Sequence, residues 1–290
     1  MLVHRADHLN GPWEGKVALQ DRGIAQGGLI DTPDGRWFAY LFRDYGSVGR
    51  IPYLVPVQWE DGWPVLGKNG KAPDQLDLPA STGLIPHLVA PDEFDRKTGQ
   101  AALPLVWQWN HNPDNKLWSV RERPGYLRLK TARIDTSFEQ ARNTLTQRTI
   151  GPRSTGSTLL DASNMKEGDF AGLSVFQKNF GQVGIKIEDG KNWIVMVNAA
   201  ADKPVQVEQI PLTQNQVQVK IDCDFTDLKD EARFAYSTDG TVWKPIGNTL
   251  KMTYAIPHFM GYRFGLFNYA TQHTGGYADF DWFRISTTDK

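Results

Sequence analysis

Residues 23–64 read GIAQGGLIDTPDGRWFAYLFRDYGSVGRIPYLVPVQWEDGWP, and this stretch decides the fold class. It breaks into short apolar runs separated by turn residues. Leu29 to Asp31 is the first run, after which Pro33, Asp34 and Gly35 supply a turn. Trp37 to Phe42 is the second, rich in aromatic and apolar residues that favour strands. Asp44 to Gly49 carries two glycines and reads as a loop. Ile51 to Val57 is the third run. Pro52 and Pro56 mark it as a bent or edge strand, because proline donates no ladder hydrogen bond. Trp59 to Pro64 places Asp61-Gly62 in a tight turn between two tryptophans. Four short elements in about 40 residues is roughly the size of one propeller blade.

Upstream, Leu2 to Val17 reads as strand, Asn10-Gly11-Pro12 turn, strand. Downstream, Pro73, Pro79, Pro86 and Pro91 argue against a helix or a central strand, so residues 76–104 are expected to be a linker packed on a surface. From Leu105 onward short strands alternate with turns. Examples are Tyr126 to Thr131, Ser157 to Leu160, Ala171 to Gln177, Val183 to Glu188, Trp193 to Val197, Val217 to Asp222, Tyr262 to Asn268 and Gly276 to Ile285. Asn179-Phe180-Gly181 and Asp239-Gly240 are read as hairpin turns. Regular strand spacing without amphipathic helices predicts a sandwich over 105–290. Only Ser137 to Leu145 has a helical pattern, and Leu145 to Arg148 continues as a strand.

The 290 residues fit one large or two ordinary domains. A net charge of -1 shows no basic excess, so nothing points to nucleic acid or an anionic membrane. No apolar run reaches the ~20 residues of a membrane span, and Met1 to Arg5 lacks the long apolar region of a signal peptide. Cys223 is the sole cysteine, so no internal disulfide forms. Ten Trp, nine Tyr and fourteen Phe are mostly core residues of an all-β fold, with a minority left as sugar-stacking platforms.

Several runs also carry a family resemblance. QGGLIDTPDGRW, VGRIPYLVPV and WEDGWPV are similar to the last blade of the five-bladed propeller of glycoside hydrolase family 43. Arg5, Leu9, Gly11, Pro12, Trp13 and Glu14 resemble an outer segment of its blade four. WQWNHNPDNKLWSVRERPGYLRL (107–129), GDFAGL (168–173) and GYADFDWF (276–283) resemble the start, middle and end of its C-terminal sandwich. The resemblance implies an all-β chain. It would comprise the end of blade four and blade five over 1–75, then a concanavalin-like jelly-roll sandwich over 105–290. It implies an inverting β-xylosidase or α-L-arabinofuranosidase acting on xylan, arabinoxylan or xylo-oligosaccharides.

Glycoside hydrolysis needs two carboxylates flanking the scissile bond. By the resemblance, the family's base, acid and tuning carboxylates sit on the first three blades, which this sequence does not show. Asp31, Asp34, Asp44, Glu60 and Asp61 match none of those motifs and read as turn or solvated residues, so no catalytic residue is named. Arg50 matches an arginine that reaches the family's substrate pocket, where its charged fork suits a hydroxyl or carboxylate; the alternative is a salt-bridged surface arginine. Phe259, in HFMG, matches a phenylalanine sent into the pocket; the alternative is core packing. One departure concerns the centre of the propeller. The family commonly has a histidine just before Gln-Gly, helping to hold a metal or water cluster, and here Ala25 can neither ligate nor hydrogen-bond through its side chain.

Asp279 and Asp281 are two apart on a strand and share a face. Paired carboxylates can bind Ca²⁺ with carbonyls from another loop, the alternatives being backbone hydrogen bonds or an arginine partner. His4, His8, His87, His111, His258 and His273 show no metal-ligand spacing. Asn110 to Asp114 is a dense polar loop, read as a structural cap at the domain junction. The partners expected are a xylo- or arabino-oligosaccharide and a polypeptide supplying the other blades. A non-catalytic carbohydrate-binding or structural module is the alternative.

Overall fold

The computed structural model describes residues 1–79, 87–200 and 203–288; Pro86 and part of the expected linker lie outside them. The chain divides into two compact units. One comprises Met1–Tyr45 with Gly49–Thr82, the other Gly46–Val48 with Gly83–Lys290. Among the described residues the only helical turns are short 3-10 turns, and no helix is long and apolar enough to cross a membrane.

In the first unit, β1 (Leu2–Arg5) and β2 (Glu14–Val17) form a hairpin. A separate antiparallel sheet has the order β3 (Ala25–Asp31), β4 (Trp37–Tyr45), β5 (Gly49–Glu60), β6 (Trp63–Leu66). Asp61 and Gly62 both take positive φ, the geometry a right-twisting two-residue hairpin requires. Arg5 ties the hairpin to that turn: Nη1 donates to Asp61 O at 2.8 Å, and the guanidinium lies 4.2 Å from the Trp63 ring centroid. One face of the sheet buries Ala39, Leu41, Val55, Val57 and Leu66.

As its prolines predict, Ile51 to Pro56 is an edge segment, paired on the β4 side alone, of a strand that becomes interior from Val57. It belongs to the twelve-residue β5, which lies between β4 and β6. Pro56 O accepts from Gly67 N at 2.8 Å, so the missing Pro56 donor points to the β6 side. Pro52, four residues away, points the same way, and β6 pairs with β5 only from Val57 onward. Neither proline therefore breaks a ladder bond.

In the second unit the chain runs through β7 (Gln108–Trp109), β8 (Trp118–Ser119), β9 (Leu127–Lys130), β10 (Leu145–Arg148) and β11 (Arg153–Asn164). It continues with β12 (Asp169–Phe176), β13 (Phe180–Glu188), β14 (Lys191–Asn198), β15 (Val205–Leu212) and β16 (Gln216–Asp224). It closes with β17 (Glu231–Ser237), β18 (Lys244–Pro245), β19 (Leu250–Lys251), β20 (Arg263–Ala270) and β21 (Tyr277–Thr288). One sheet has the order β15-β14-β13-β12-β20-β10-β7, the other β18-β17-β16-β11-β21-β9-β8 with β19 beside β17. Leu173, Val175, Ile185 and Leu266 of the first meet Leu160, Val219, Ile221 and Phe280 of the second in one core. This is the two-sheet sandwich expected from strand spacing.

β12 is buried along its whole length, which adds a third layer. Alternate residues Ala171, Leu173 and Val175 enter the inter-sheet core, while Phe170 and Phe176 enter an aromatic layer with Phe138, Phe180 and Phe267. Phe138 centres that layer, 4.9 to 5.2 Å from the rings of Phe176, Phe180 and Phe267. The helix expected over Ser137 to Leu145 is instead a 3-10 turn, Phe138–Gln140. Burial of Phe138 and two hydrogen bonds between the Asn143 side chain and the Asp114 backbone hold the chain out of a helix.

Phe180 and Gly181 are in β13 rather than in a turn. Asp239-Gly240 is not a two-residue hairpin, because pairing resumes only at Tyr236↔Lys244. There Asp239 Oδ1 accepts the amides of Thr241 and Val242, an Asx-type turn. Residues 87–104 pack on the sandwich: Asp92 and Phe283 exchange backbone hydrogen bonds at 2.8 Å, and Phe94 is fully buried.

Candidate functional site

The blade-like sheet places Arg50 and Ala25 at particular points of its architecture. A bulge between Ala25 and Gly27 interrupts the β3–β4 ladder. Gln26 takes φ 49° there, and Gly27, at φ 149°, brings its backbone so close that an added Cβ would lie 2.0 Å from Tyr40 O. Such bulges re-aim side chains near functional sites. Ala25 is half-buried and contributes only a methyl group there.

Arg50 faces Asp44 across β4 and β5, and its Nε donates to Asp44 Oδ1 at 3.1 Å. Its guanidinium also lies 4.0 Å from the Phe42 ring centroid. The register puts Arg50 on the same face as Phe42, Leu54, Tyr40 and Ile30, opposite the buried face. Tyr40 is 59% exposed and Ile30 55% exposed. An apolar stripe with a charged fork at one end is a surface suited to both packing and polyol recognition.

Three carboxylates of the first unit are engaged with cations. Asp21 pairs with Arg22, Asp34 with Arg36 and Asp44 with Arg50. The Thr32 hydroxyl and Arg36 hold Asp34 below the usual carboxylate range, opposite to what a general acid needs. A recess of about 550 Å³ is lined by residues 17–23 and 69–71. Its carboxylate, Asp21, also accepts the Ala72 amide.

In the sandwich, Phe259 caps the 3-10 turn Ile256–His258 in the left-handed region, at φ 46°. It is 61% exposed, which excludes core packing. A non-glycine residue in that region costs about 1 kcal/mol and persists only where its surroundings impose it. Gln177 does so: its Nε2 donates to Ala255 O at 2.9 Å and to Met260 O at 3.2 Å, gripping the loop on both sides. His258 packs against Phe176 and sits 3.7 Å from Glu139.

Asp279 and Asp281 do share β21. Asp279 accepts from Arg128 through both oxygens at 2.8 Å, and Arg123 donates to its Oδ2 at 3.0 Å. That is the arginine-partner arrangement, and two guanidiniums make it a poor host for a dication. Burial, and then Glu93, push the Asp281 carboxyl up, which further weakens it as a ligand. Among the described residues no three His, Cys, Asp or Glu side chains are grouped to hold a metal. Sequence reasoning missed Arg123 and Arg128 as partners, because they lie 156 and 151 residues from Asp279.

Residues 91–286 match the family described as "Beta xylosidase C-terminal Concanavalin A-like domain". A protein of Formosa agariphila named "Beta-xylosidase" is 30% identical over 98% of this chain and 52% of its own length. A Bacteroides ovatus protein named as a non-reducing end alpha-L-arabinofuranosidase is 27% identical over 92% of this chain and 52% of its own length. Among solved structures, one described as a bifunctional GH43-CE protein of Bacteroides eggerthii is 65% identical, with a TM-score of 0.94. It is covered over 37% of its length and covers all of this chain. The chain thus spans about half the length of the curated relatives it matches.

Proposed function

Because this chain belongs to family 43 of the glycoside hydrolases, as their C-terminal portion with the concanavalin A-like domain, we propose that it serves hydrolysis of xylosides or arabinofuranosides as one part of a larger enzyme. In this reading the four-stranded sheet is a propeller blade, and the catalytic carboxylates come from blades supplied by other polypeptide. The carrying observation is the stripe of Ile30, Tyr40, Leu54 and Phe42 beside Arg50, an apolar sheet face exposed at its centre. A neighbouring blade would cover that stripe and leave Arg50 at its rim. Arg50 of the first unit then binds a substrate hydroxyl, and Phe259 of the sandwich unit offers an apolar face to a sugar. The strained, pinned loop that presents Phe259 supports that role.

The test is hydrolysis of nitrophenyl β-xyloside and nitrophenyl α-L-arabinofuranoside by the purified chain, alone and mixed with a polypeptide carrying blades one to four. Activity only in the mixture supports the proposal. Activity of the chain alone places the carboxylates within it and overturns the division of labour. Inactivity of a mixture shown to associate favours the non-catalytic binding or structural reading.

A further inference from the structure

The polar loop Asn110–Asp114 borders a feature that the hydrolase reading does not use. Asp114 N donates to Asn143 Oδ1 at 2.9 Å, and Asn143 Nδ2 returns a bond to Asp114 O at 3.0 Å. This clasp stands at one wall of a cavity of about 150 Å³, whose lining also includes Thr131, Asp135 and Asn268. A second recess of about 310 Å³ is lined by His111, Asn112 and Gln140, and Arg133 and Arg142 line both. All of these residues belong to the sandwich unit.

Most polar groups around the cavity pair with one another, and one acceptor is left over. Asn268 is 6% exposed; its Nδ2 donates to Leu129 O at 2.8 Å, while its Oδ1 is buried without a partner. A buried acceptor left without a donor costs about 1–3 kcal/mol. Asp135 is also buried, paired with Arg133 at 2.7 Å, and burial pushes its carboxyl up. Arg142 donates Nε to Asn112 O at 2.7 Å, and among the described residues no carboxylate is within ion-pair distance of it. The lining therefore offers one acceptor that needs a donor, a buried carboxylate with a single cationic partner, and a donor fork that lacks a charged acceptor.

That combination selects a ligand class. A dication is disfavoured by Arg133, Arg142 and Lys130 in the lining. A small anion is disfavoured by Asp114, Asp135 and the orphan Asn268 oxygen. Vicinal hydroxyls donate and accept at once, so a neutral polyol answers both needs. The inner cavity is about half the lower bound usual for drug-sized ligands, about 300 Å³, so it takes one sugar ring, with the outer recess left for a second.

We propose that the sandwich binds a neutral saccharide end in this paired recess: hydroxyls donate to Asn268 Oδ1 and Asp135, and Arg142 donates to the adjoining unit. The site stands apart from the hydrolase reading, and only the choice of a pentose probe rests on that reading.

Titration of the full chain with xylobiose and with cellobiose, followed by ligand-observed NMR and calorimetry, tests it. Saturable binding of at least one disaccharide is expected. Arg142→Ala, an exposed position expected to keep the unfolding midpoint unchanged, should weaken it about tenfold, as should Asp135→Asn. No saturable binding to the unaltered chain overturns the proposal, and so does binding that both variants leave unchanged. Binding of inorganic phosphate that depends on Arg142, with no disaccharide binding, also overturns it. Hydrolysis by the reconstituted enzyme is scored separately, so failure of either proposal is distinguishable from failure of the other.

Discussion

Asp161 and Asp169, both buried in the sandwich, are tuned in opposite directions and load stability with opposite signs. Burial works against the charge of Asp161, but the Ser163 hydroxyl, Arg123, the Ser163 amide and Gln216 hold its pKa at about 2. Its folded pKa is depressed, so its stabilisation is present above about pH 4 and is lost as pH falls toward 2. Burial raises Asp169 to about 6, against hydrogen bonds from the Lys166 amide and Thr131. Between about pH 4 and 6 the folded state then binds more protons than the unfolded chain, and stability falls as pH rises through that window. The loss approaches about 3 kcal/mol by pH 7. Asp169→Asn is expected to abolish that slope in urea unfolding measured at pH 4, 5, 6 and 7; an unchanged slope would refute the assignment. The Arg128–Asp279 pair makes a second prediction. Arg128 is bidentate and its side chain is 16% exposed, against 2% for Asp279. Arg128→Lys keeps the charge but not the fork, and should cost about 2 kcal/mol in chemical denaturation. Chelation with EDTA should leave the unfolding midpoint unchanged, since arginines occupy both Asp279 oxygens.

Strand β3 depends on one close approach. At Gly27, positive φ coincides with a Cβ position 2.0 Å from the backbone of β4, so Gly27→Ala must part the two strands. A loss of at least about 3 kcal/mol is expected, read from the fluorescence of Trp37 and Trp59, which pack edge to face at 5.4 Å. Gly28→Ala, with nothing within 4 Å of its added Cβ, should fall within about 0.5 kcal/mol of the unaltered chain. Equal effects of the two would refute the close-approach account. The Asp-Gly pairs show how context changes an element. Asp61-Gly62 and Asp189-Gly190 have positive φ at both positions and join directly paired strands. At Asp239-Gly240 the same dipeptide sits in a longer loop, because the Asp239 carboxylate captures the following amides. Strand β15 went unread because it is an edge strand, exposed along most of its length, with Pro211 within it.

For the whole molecule, the exposed stripe makes the widest claim. Replacing Ile30 and Tyr40 by aspartate should abolish association with a propeller polypeptide and leave the sandwich's unfolding unchanged; persistent association would refute the stripe as the contact. The all-β class, most strands of the sandwich, the Asp61-Gly62 turn and the family were legible in the sequence. Each rests on local signals: alternation along a strand, turn residues whose backbone preferences are intrinsic, and motifs in order. Tertiary structure alone decided where the proline-bearing edge segment of β5 becomes interior, because β6 pairs with it only from Val57 onward. It alone converted Ser137 to Leu145 from helix to 3-10 turn, because three strands supply the aromatic layer that holds Phe138. It alone exposed Phe259 and gave Asp279 its arginines. Partners more than a hundred residues apart are chosen by strand order and register, which no local pattern encodes.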